Sequence, residues 1–501
     1  MNHRQPTAII IGAGIAAIAS AIRLAVQGFA VTLFEKNNYA GGKMAYFEKD
    51  GYCFDGGPSL FTQPQLIAEL FALAEEPITN YFSYESVPVA CTYFYEDGTI
   101  IKGYANPDKL AEELHTKVGE DKAAVQQYLQ HSKRLYETTG SIFLNYSLHK
   151  WNTLQKAPIA KALMNTKWAN LFSSFHSFNT NNFKQSHTVQ LFNRYATYNG
   201  SNPYQAPGML SVIPHLEYNE GVFYPKGGMI SIANALYKLA IKKGVQFCFN
   251  TPVEKIIYNE HKVQGIIANN EKYFADIVVS NMDVYFTYKK LLNNKQKASH
   301  ILQQERSSSA FIFYWGINKT FPPLGLHNIF FSGNYREEFN HIFKLKQLYS
   351  DPTVYINITS KCEPGIQAPP GKENWFVMVN APANEGQYTT AWQQELKKNI
   401  LTKLTRLLHT NIEPLIEVET VLDPVLIEAN TASYMGSLYG TSSNNRMAAF
   451  LRHPNFSNKL KGLYFVGGSV HPGGGIPLCL RSAKIMSEMV AKDKKSWKYA
   501  H

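Results

Sequence analysis

The stretch that decides the fold is Thr7-Ala8-Ile9-Ile10-Ile11-Gly12-Ala13-Gly14-Ile15-Ala16-Ala17, completed by Val31-Thr32-Leu33-Phe34-Glu35. A β-branched run stops at a Gly-Ala-Gly turn and an Ala-rich amphipathic stretch follows, which predicts strand, tight turn and helix. Ala8 to Val26 carries Arg23 as its only charge. A hydropathy scan would select it as a membrane span, but the internal turn argues against that. Gly12-x-Gly14-x-x-Ala17 is a GxGxxA fingerprint. Gly12 permits the sharp turn, Gly14 lets backbone approach a pyrophosphate, and small Ala17 lets the helix sit close on the sheet. The first amides of that helix, at Ile15 and Ala16, then point at the phosphates. Ala21 and Leu24 continue the packed face, and Gly28 ends the helix. Glu35, with Lys36 beside it, closes the second strand about twenty residues beyond the fingerprint, where an acid takes ribose hydroxyls. A carboxylate there disfavours a 2′-phosphate and hence NADP.

Two further glycine turns separate FAD from NAD. Gly41-Gly42-Lys43 follows Glu35 closely, and Phe54-Asp55-Gly56-Gly57-Pro58-Ser59 comes next. Read as ordinary surface turns they carry nothing. Next to a completed ribose site, they give backbone room to press on a long, flat ligand. Gly41, Gly42, Lys43, Gly57, Pro58 and Ser59 are therefore cofactor-binding candidates, with FAD as the cofactor.

The 501 residues allow about two to four domains, and 45% hydrophobic content supplies a large core. The net charge of +11 attracts polyanions. No Lys/Arg run is dense enough for a nucleic-acid arm, so an anionic membrane surface is the expected partner and nucleic acid is not. Five scattered cysteines with no CxxC pair argue against disulfides and against a metal site, and fit a reducing cytosol. No signal peptide is visible.

From the fingerprint through Glu35 to Gly41-Gly42-Lys43, the chain resembles the amine-oxidase-like flavoproteins. More narrowly it resembles the bacterial carotenoid desaturases, both phytoene desaturases and hydroxycarotenoid 3,4-desaturases. Three segments carry the narrower likeness. They are Asn199-Gly200-Ser201-Asn202-Pro203-Tyr204-Gln205-Ala206-Pro207 with Arg194 ahead of it, Gly221-Val222-Phe223-Tyr224-Pro225-Lys226-Gly227-Gly228-Met229, and Gly462 to Pro477. They run nearly end to end in the family's order, whereas Leu291 to Pro424 offers little motif to match.

The resemblance implies an α/β fold. Its glutathione-reductase-like Rossmann FAD domain would be built from 1–90, 215–285 and 440–501. An α+β substrate domain with a membrane-facing helical part would take 91–214 and 286–439. It puts the strand–turn–helix around Tyr464-Phe465-Val466 beside the flavin, with Gly468, Ser469, Gly475 and Ile476 as contacts. It also implies that Val253 holds the adenine through its backbone, although a core strand residue is an equal reading. Arg194, Tyr224 and His471 are candidates for the substrate or its loops; His471 either faces substrate or is a hydrogen-bonded loop residue.

No paired carboxylates, HxxxH or Gly-x-Ser-x-Gly pattern appears, so no catalytic residue is named. An allylic C–H beside a polyene can lose hydride to a flavin because the resulting cation is delocalised, which leaves the protein to position the reactants. The expected reaction is oxidation of a C–C single bond at the end of a carotenoid chain, of the hydroxycarotenoid 3,4-desaturase type, with oxygen or a quinone as electron acceptor. Phytoene desaturation, cis–trans isomerisation on reduced FAD and a flavin-free prenyl-binding escort are the alternatives. Trp151 to Phe178 mixes Trp151, Leu154, Ile159, Leu163, Met164, Trp168, Leu171, Phe172 and Phe175 with lysines and no acid. That composition suits a helix lying in a membrane interface, or else a core helix with a solvated lysine face. The expected location is cytoplasmic, peripheral on the inner face of the membrane.

Overall fold

The computed structural model describes residues 4–147, 149, 173–445 and 452–497. The β-branched run forms the strand Thr7–Ile11 and the Ala-rich stretch the helix Ile15–Val26. The strand lies at the centre of a five-stranded parallel sheet. Its order is Leu463–Phe465, Ile277–Ser280, Thr7–Ile11, Ala30–Phe34 and Gln246–Cys248. Ala8 and Ile10 face the helices Ile15–Val26, Ile230–Lys242 and Ile476–Trp497. Ile9 and Ile11 face a small antiparallel sheet of Val253–Tyr258, Val263–Ala268 and Glu271–Phe274. A strand covered on both faces must be apolar at every position, which is why the run shows no alternation. Each such isoleucine contributes about 1.5–3 kcal/mol by its burial.

A seven-stranded sheet stands apart from the first. Its order is Ile416–Leu422, Ser309–Ile317, Glu373–Ala381, Val354–Asn357, His327–Phe330, Val89–Phe94 and Ile100–Tyr104. The sheet is mixed, because His327–Phe330 pairs with Val89–Phe94 in parallel. Ser309–Ile317 is buried along its whole length. Phe311, Phe313 and Trp315 pack on Leu396, Ile400 and Leu404 of the helix Thr390–Leu407. Ala310, Ile312 and Tyr314 turn the other way, toward Tyr52 and Phe54. Five of the seven strands come from the segment between Leu291 and Pro424 that carries no motif.

Helices Pro107–Val118, Lys122–Leu135, Phe175–Asn182 and Ser186–Asn193 gather an aromatic core of Tyr128, Phe175, Phe183 and Phe192. Asn106 starts the first of them by accepting hydrogen bonds from the amides of Asp108 and Lys109. Within the expected interfacial segment, residues 151–172 lie outside the described residues. Phe175 is fully buried, and its amide donates to the carbonyl of Ala206 at 2.7 Å. It is a core residue and not a membrane anchor, because the chain has already turned into the helical layer there. Among the described residues no helix is long and apolar enough to cross a membrane.

Candidate functional site

One cavity of about 720 Å³ joins the two sheets, within the range of ligand sites. At the parallel sheet, the turn after Thr7–Ile11 is held by the Gly12 amide, which donates to the Phe34 carbonyl at 2.7 Å. The carboxylate of Glu35 accepts from the amide of Ala13 at 2.7 Å and from that of Asn37 at 2.9 Å. Each of its oxygens keeps a lone pair for another donor. The helix Ile15–Val26 begins at Gly14 with no side chain capping it, so its leading amides are open to an anion. These features fit a dinucleotide: an acid for ribose and an uncapped helix end for phosphate.

The glycine loops are held against one another. A Cβ on Gly42 would fall 3.0 Å from Gly14 Cα, so two backbones touch where the two loops meet. A Cβ on Gly14 would lie 2.5 Å from Oδ1 of Asn281. The space its missing side chain leaves is therefore filled by protein. Asn281 in turn donates from Nδ2 to the Val466 carbonyl at 3.1 Å. Asp55 pins the second loop by accepting from the amides of Met229 and Ile230 at 2.9 and 3.2 Å. Burial raises its carboxyl to about 6 despite those two bonds. Lys43 Nζ donates to the Leu438 carbonyl at 2.9 Å, and burial lowers its pKa.

At the C-terminal strand–turn–helix, Gly475 has φ +100° and nothing within 4 Å of where a Cβ would be. It is a gap at the cavity wall of the kind a flat ring fills. Ser469 Oγ accepts from the Val284 amide at 3.0 Å, which ties this loop to the end of Ile277–Ser280. Arg452 donates to the carbonyls of Tyr439 and Gly468 at 2.7 and 3.4 Å. Burial, with Arg306 nearby, lowers its pKa to about 10.

Among the sequence candidates, Gly12, Gly14, Ile15, Ala16, Glu35, Lys36, Gly41, Gly42, Lys43, Gly57, Pro58, Ser59, Val253, Gly468, Ser469, Gly475 and Ile476 all line this cavity, as do Arg194 and His471. Tyr224 does not. Its hydroxyl donates to Glu363 at 2.6 Å from the strand Val222–Pro225, which pairs with Tyr84–Val87. The motif that contains it is a structural one, holding the Gly227 amide on the same Glu363 oxygen at 3.0 Å. His471 is a loop histidine. Its Nε2 donates to the Tyr146 carbonyl at 2.9 Å, and burial lowers its pKa to about 4.

Arg194 is buried against Glu217, with Nη2 2.6 Å from the carboxylate. It also donates to the Tyr93 hydroxyl from Nε and Nη2 at 2.9 and 2.6 Å. Tyr195 donates to the same Glu217 oxygen. The pair adds no net charge to the wall. Beyond it the wall is the apolar face of the seven-stranded sheet, with Ile312, Ile329, Phe376 and Met378. Asn281, Arg452, Tyr355 and His327 also line the cavity and were not singled out in the sequence. Only Asn281 carried a local signal, as the residue that ends a buried strand.

Residues 14–491 match the family described as flavin containing amine oxidoreductase. A 1-hydroxycarotenoid 3,4-desaturase of Flavobacterium sp. (strain P99-3) is 51% identical over 483 residues, 96% of this chain and 98% of that protein. A 4,4'-diapolycopene oxygenase of Methylomonas sp. is 32% identical over 490 residues, 97% and 98% of the two chains. Among solved structures, cyclohexylamine oxidase from Brevibacterium oxydans IH-35A superposes with a TM-score of 0.60 at 15% identity, covering 98% and 100%. Putrescine oxidase bound to putrescine gives 0.61 at 14%, covering 98% and 99%. At such identities these two bear on the fold alone.

Proposed function

Because this chain belongs to the flavin containing amine oxidoreductase family, it is an oxidoreductase with FAD as its cofactor, and we propose that it desaturates a C–C single bond near the end of a carotenoid polyene. The observation that carries this reading is the reach of one cavity from the Glu35 turn to the apolar wall of Ile312, Phe376 and Met378. A long hydrocarbon needs such a wall beside a flavin. The extent of the likeness to the Flavobacterium desaturase supports the same substrate class.

When bound, FAD would supply a two-electron oxidant able to take up the hydride and the proton that a C–C single bond loses in becoming a double bond. The protein's own part is placement. In our reading Glu35 takes the ribose hydroxyls, the amides of Ile15 and Ala16 the pyrophosphate, Val253 the adenine, and the loop with Gly468, Ser469, Gly475 and Ile476 the ring. The apolar wall aligns the polyene and excludes water, so the reacting carbon is held rather than sought. The mutually neutralised Arg194 and Glu217 leave no net charge to disturb a delocalised cation. Oxygen or a quinone would be the electron acceptor.

We assign the cofactor unit to 1–90, 215–285 and 440–501, and the substrate unit to 91–214 and 286–439. The substrate unit would meet the membrane through the stretch beginning at Trp151, on the cytoplasmic face. Its mix of aromatic residues and lysines supports this.

The test is incubation of the flavin-loaded enzyme with liposomes carrying a 1-hydroxylated acyclic carotenoid, followed by product mass and absorption. Loss of two hydrogens with a red-shifted spectrum is expected. Gain of an oxygen would instead make it an oxygenase, and an unchanged mass with a new isomer an isomerase. An unchanged carotenoid would overturn the reading.

A further inference from the structure

We propose that His327 holds the oxygenated end of the substrate, its Nε2–H donating a hydrogen bond to the hydroxyl oxygen of a hydroxylated carotenoid. This rests on the desaturase reading above and names what that site selects.

His327 opens the strand His327–Phe330 in the seven-stranded sheet, is 3% exposed, and lines the cavity. The partners of its two nitrogens determine which one carries hydrogen. Nδ1 lies 3.2 Å from Nδ2 of Asn357 and 2.8 Å from the hydroxyl of Tyr355. The Asn357 amide nitrogen can only donate, and its orientation is fixed because it also donates to the Leu326 carbonyl at 3.1 Å. Nδ1 is therefore an acceptor. Burial and the positive charge of Arg194 lower the ring's pKa to about 3, so the ring is neutral and its one hydrogen sits on Nε2.

That Nε2–H is buried and has no hydrogen-bond partner among the described residues. Buried donors are almost always paired, and an orphan covered at the cavity wall points to a group that reaches it as the incoming ligand displaces its cover. The neighbouring polar groups do not serve, since Arg194 and Glu217 already hold each other. An ether or hydroxyl oxygen arriving at this part of the wall would satisfy it, and a hydrocarbon end would not.

Position supports the same assignment. The Tyr355 hydroxyl that meets His327 also lies 2.8 Å from Ser59 Oγ, in one of the loops read as cofactor-binding. His327 is thus two hydrogen bonds from that loop. The Flavobacterium relative's name puts its substrate's hydroxyl at carbon 1 and the new double bond between carbons 3 and 4. A donor next to the cofactor loop suits a hydroxyl close to the reacting carbons and would not suit one at the far end of the polyene. Sites built to bond a substrate hydroxyl discriminate strongly against the analogue lacking it, because the analogue leaves the buried group unpaired.

The test compares a 1-hydroxylated acyclic carotenoid with the same carotenoid lacking the hydroxyl. Wild type, His327→Phe and His327→Gln would be assayed for kcat/KM and, separately, for equilibrium binding by the shift in carotenoid absorption. We expect wild type to prefer the hydroxylated substrate at least about tenfold, chiefly through KM. His327→Phe should bring the two near parity with flavin occupancy unchanged. His327→Gln, which restores a donor, should recover part of the preference, and it serves where the Phe variant does not fold. A flavin-loaded variant that keeps the wild-type preference overturns the proposal. So does a wild type that desaturates and binds both carotenoids equally, in which case the desaturase reading still stands. A wild type that desaturates neither removes that reading and this one with it.

Discussion

Glu35 accepts a 2.7 Å hydrogen bond from the amide of Ala13, so the acid at the end of one strand fixes the turn at the end of its neighbour. In the proposed reading the carboxylate has two tasks, holding the turn and meeting the ribose. Glu35→Ala removes both and should weaken FAD binding by about 1–3 kcal/mol for the unpaired groups it leaves. Flavin occupancy and affinity after dialysis measure this. Unchanged affinity would show that the ribose sits elsewhere.

Gly475 faces open cavity with φ +100°. A side chain there points into space that the ring or substrate would use, and the backbone conformation itself disfavours any L-residue. Gly475→Val should therefore abolish turnover, and it should also cost about 1 kcal/mol or more of stability from the strain. Gly475→Ala separates the two effects, keeping most of the strain with less bulk. Wild-type turnover by a folded Gly475→Val protein would refute this placement.

Arg194 and Glu217 form a buried pair that is costly to break on one side only. Arg194→Met leaves an uncompensated carboxylate and should destabilise the protein by about 3–5 kcal/mol. The double change Arg194→Met, Glu217→Leu should recover much of that loss. Denaturant unfolding of the three proteins decides it, and equal losses in the single and double variants would mean that the pair is not coupled.

His471 supplies a pH signature. Its folded pKa of about 4 lies below the ordinary histidine value of 6.5, so the unfolded chain takes up the proton first as pH falls. Stability from this group is present above pH 6.5 and is lost as pH falls toward 4, at about 1.4 kcal/mol per unit. His471→Gln can still donate to the Tyr146 carbonyl but does not titrate. The wild type's advantage over it should shrink by about 3 kcal/mol between pH 6.5 and 4. Parallel stability profiles for the two proteins would exclude a buried neutral His471.

Membrane attachment through the stretch that starts at Trp151 predicts that binding needs both anchors and charge. Each lysine near an anionic surface adds about 1 kcal/mol of attraction, screened over about 10 Å at 0.1 M salt. A Trp151→Ser, Trp168→Ser protein should sediment less with anionic liposomes than wild type, and wild type should release as salt rises. Equal partitioning of the two, or indifference to lipid charge, would return this segment to the core.

What was legible in the sequence was local. Gly12 to Ala17, Glu35 and Gly41 to Lys43 act within one turn or one strand, so their spacing alone declares them. His327 and Tyr355 reach the cavity through strand pairing, at positions where any residue could stand in the sequence. Arg452 arrives from a loop whose neighbours give no periodic signal. Tyr224, named for the substrate or its loops, sits in a distinctive motif, and its hydroxyl serves Glu363 and the turn at Gly227. The mixed sheet was hidden because a parallel pair between Val89–Phe94 and His327–Phe330 joins segments that lie far apart along the chain.

The edge strand Leu463–Phe465 has a consequence for biosynthesis. Until it is translated, Ile277–Ser280 presents a bare edge, and the turn that carries Gly475 does not yet exist. A ribosome-bound chain can therefore offer FAD only an unfinished groove, and an apolar strand edge left open invites pairing with other chains. Cells short of riboflavin should accumulate completed polypeptide without flavin, rather than stalled or trimmed fragments. Supplying flavin after release should rescue the yield as well as supplying it during synthesis.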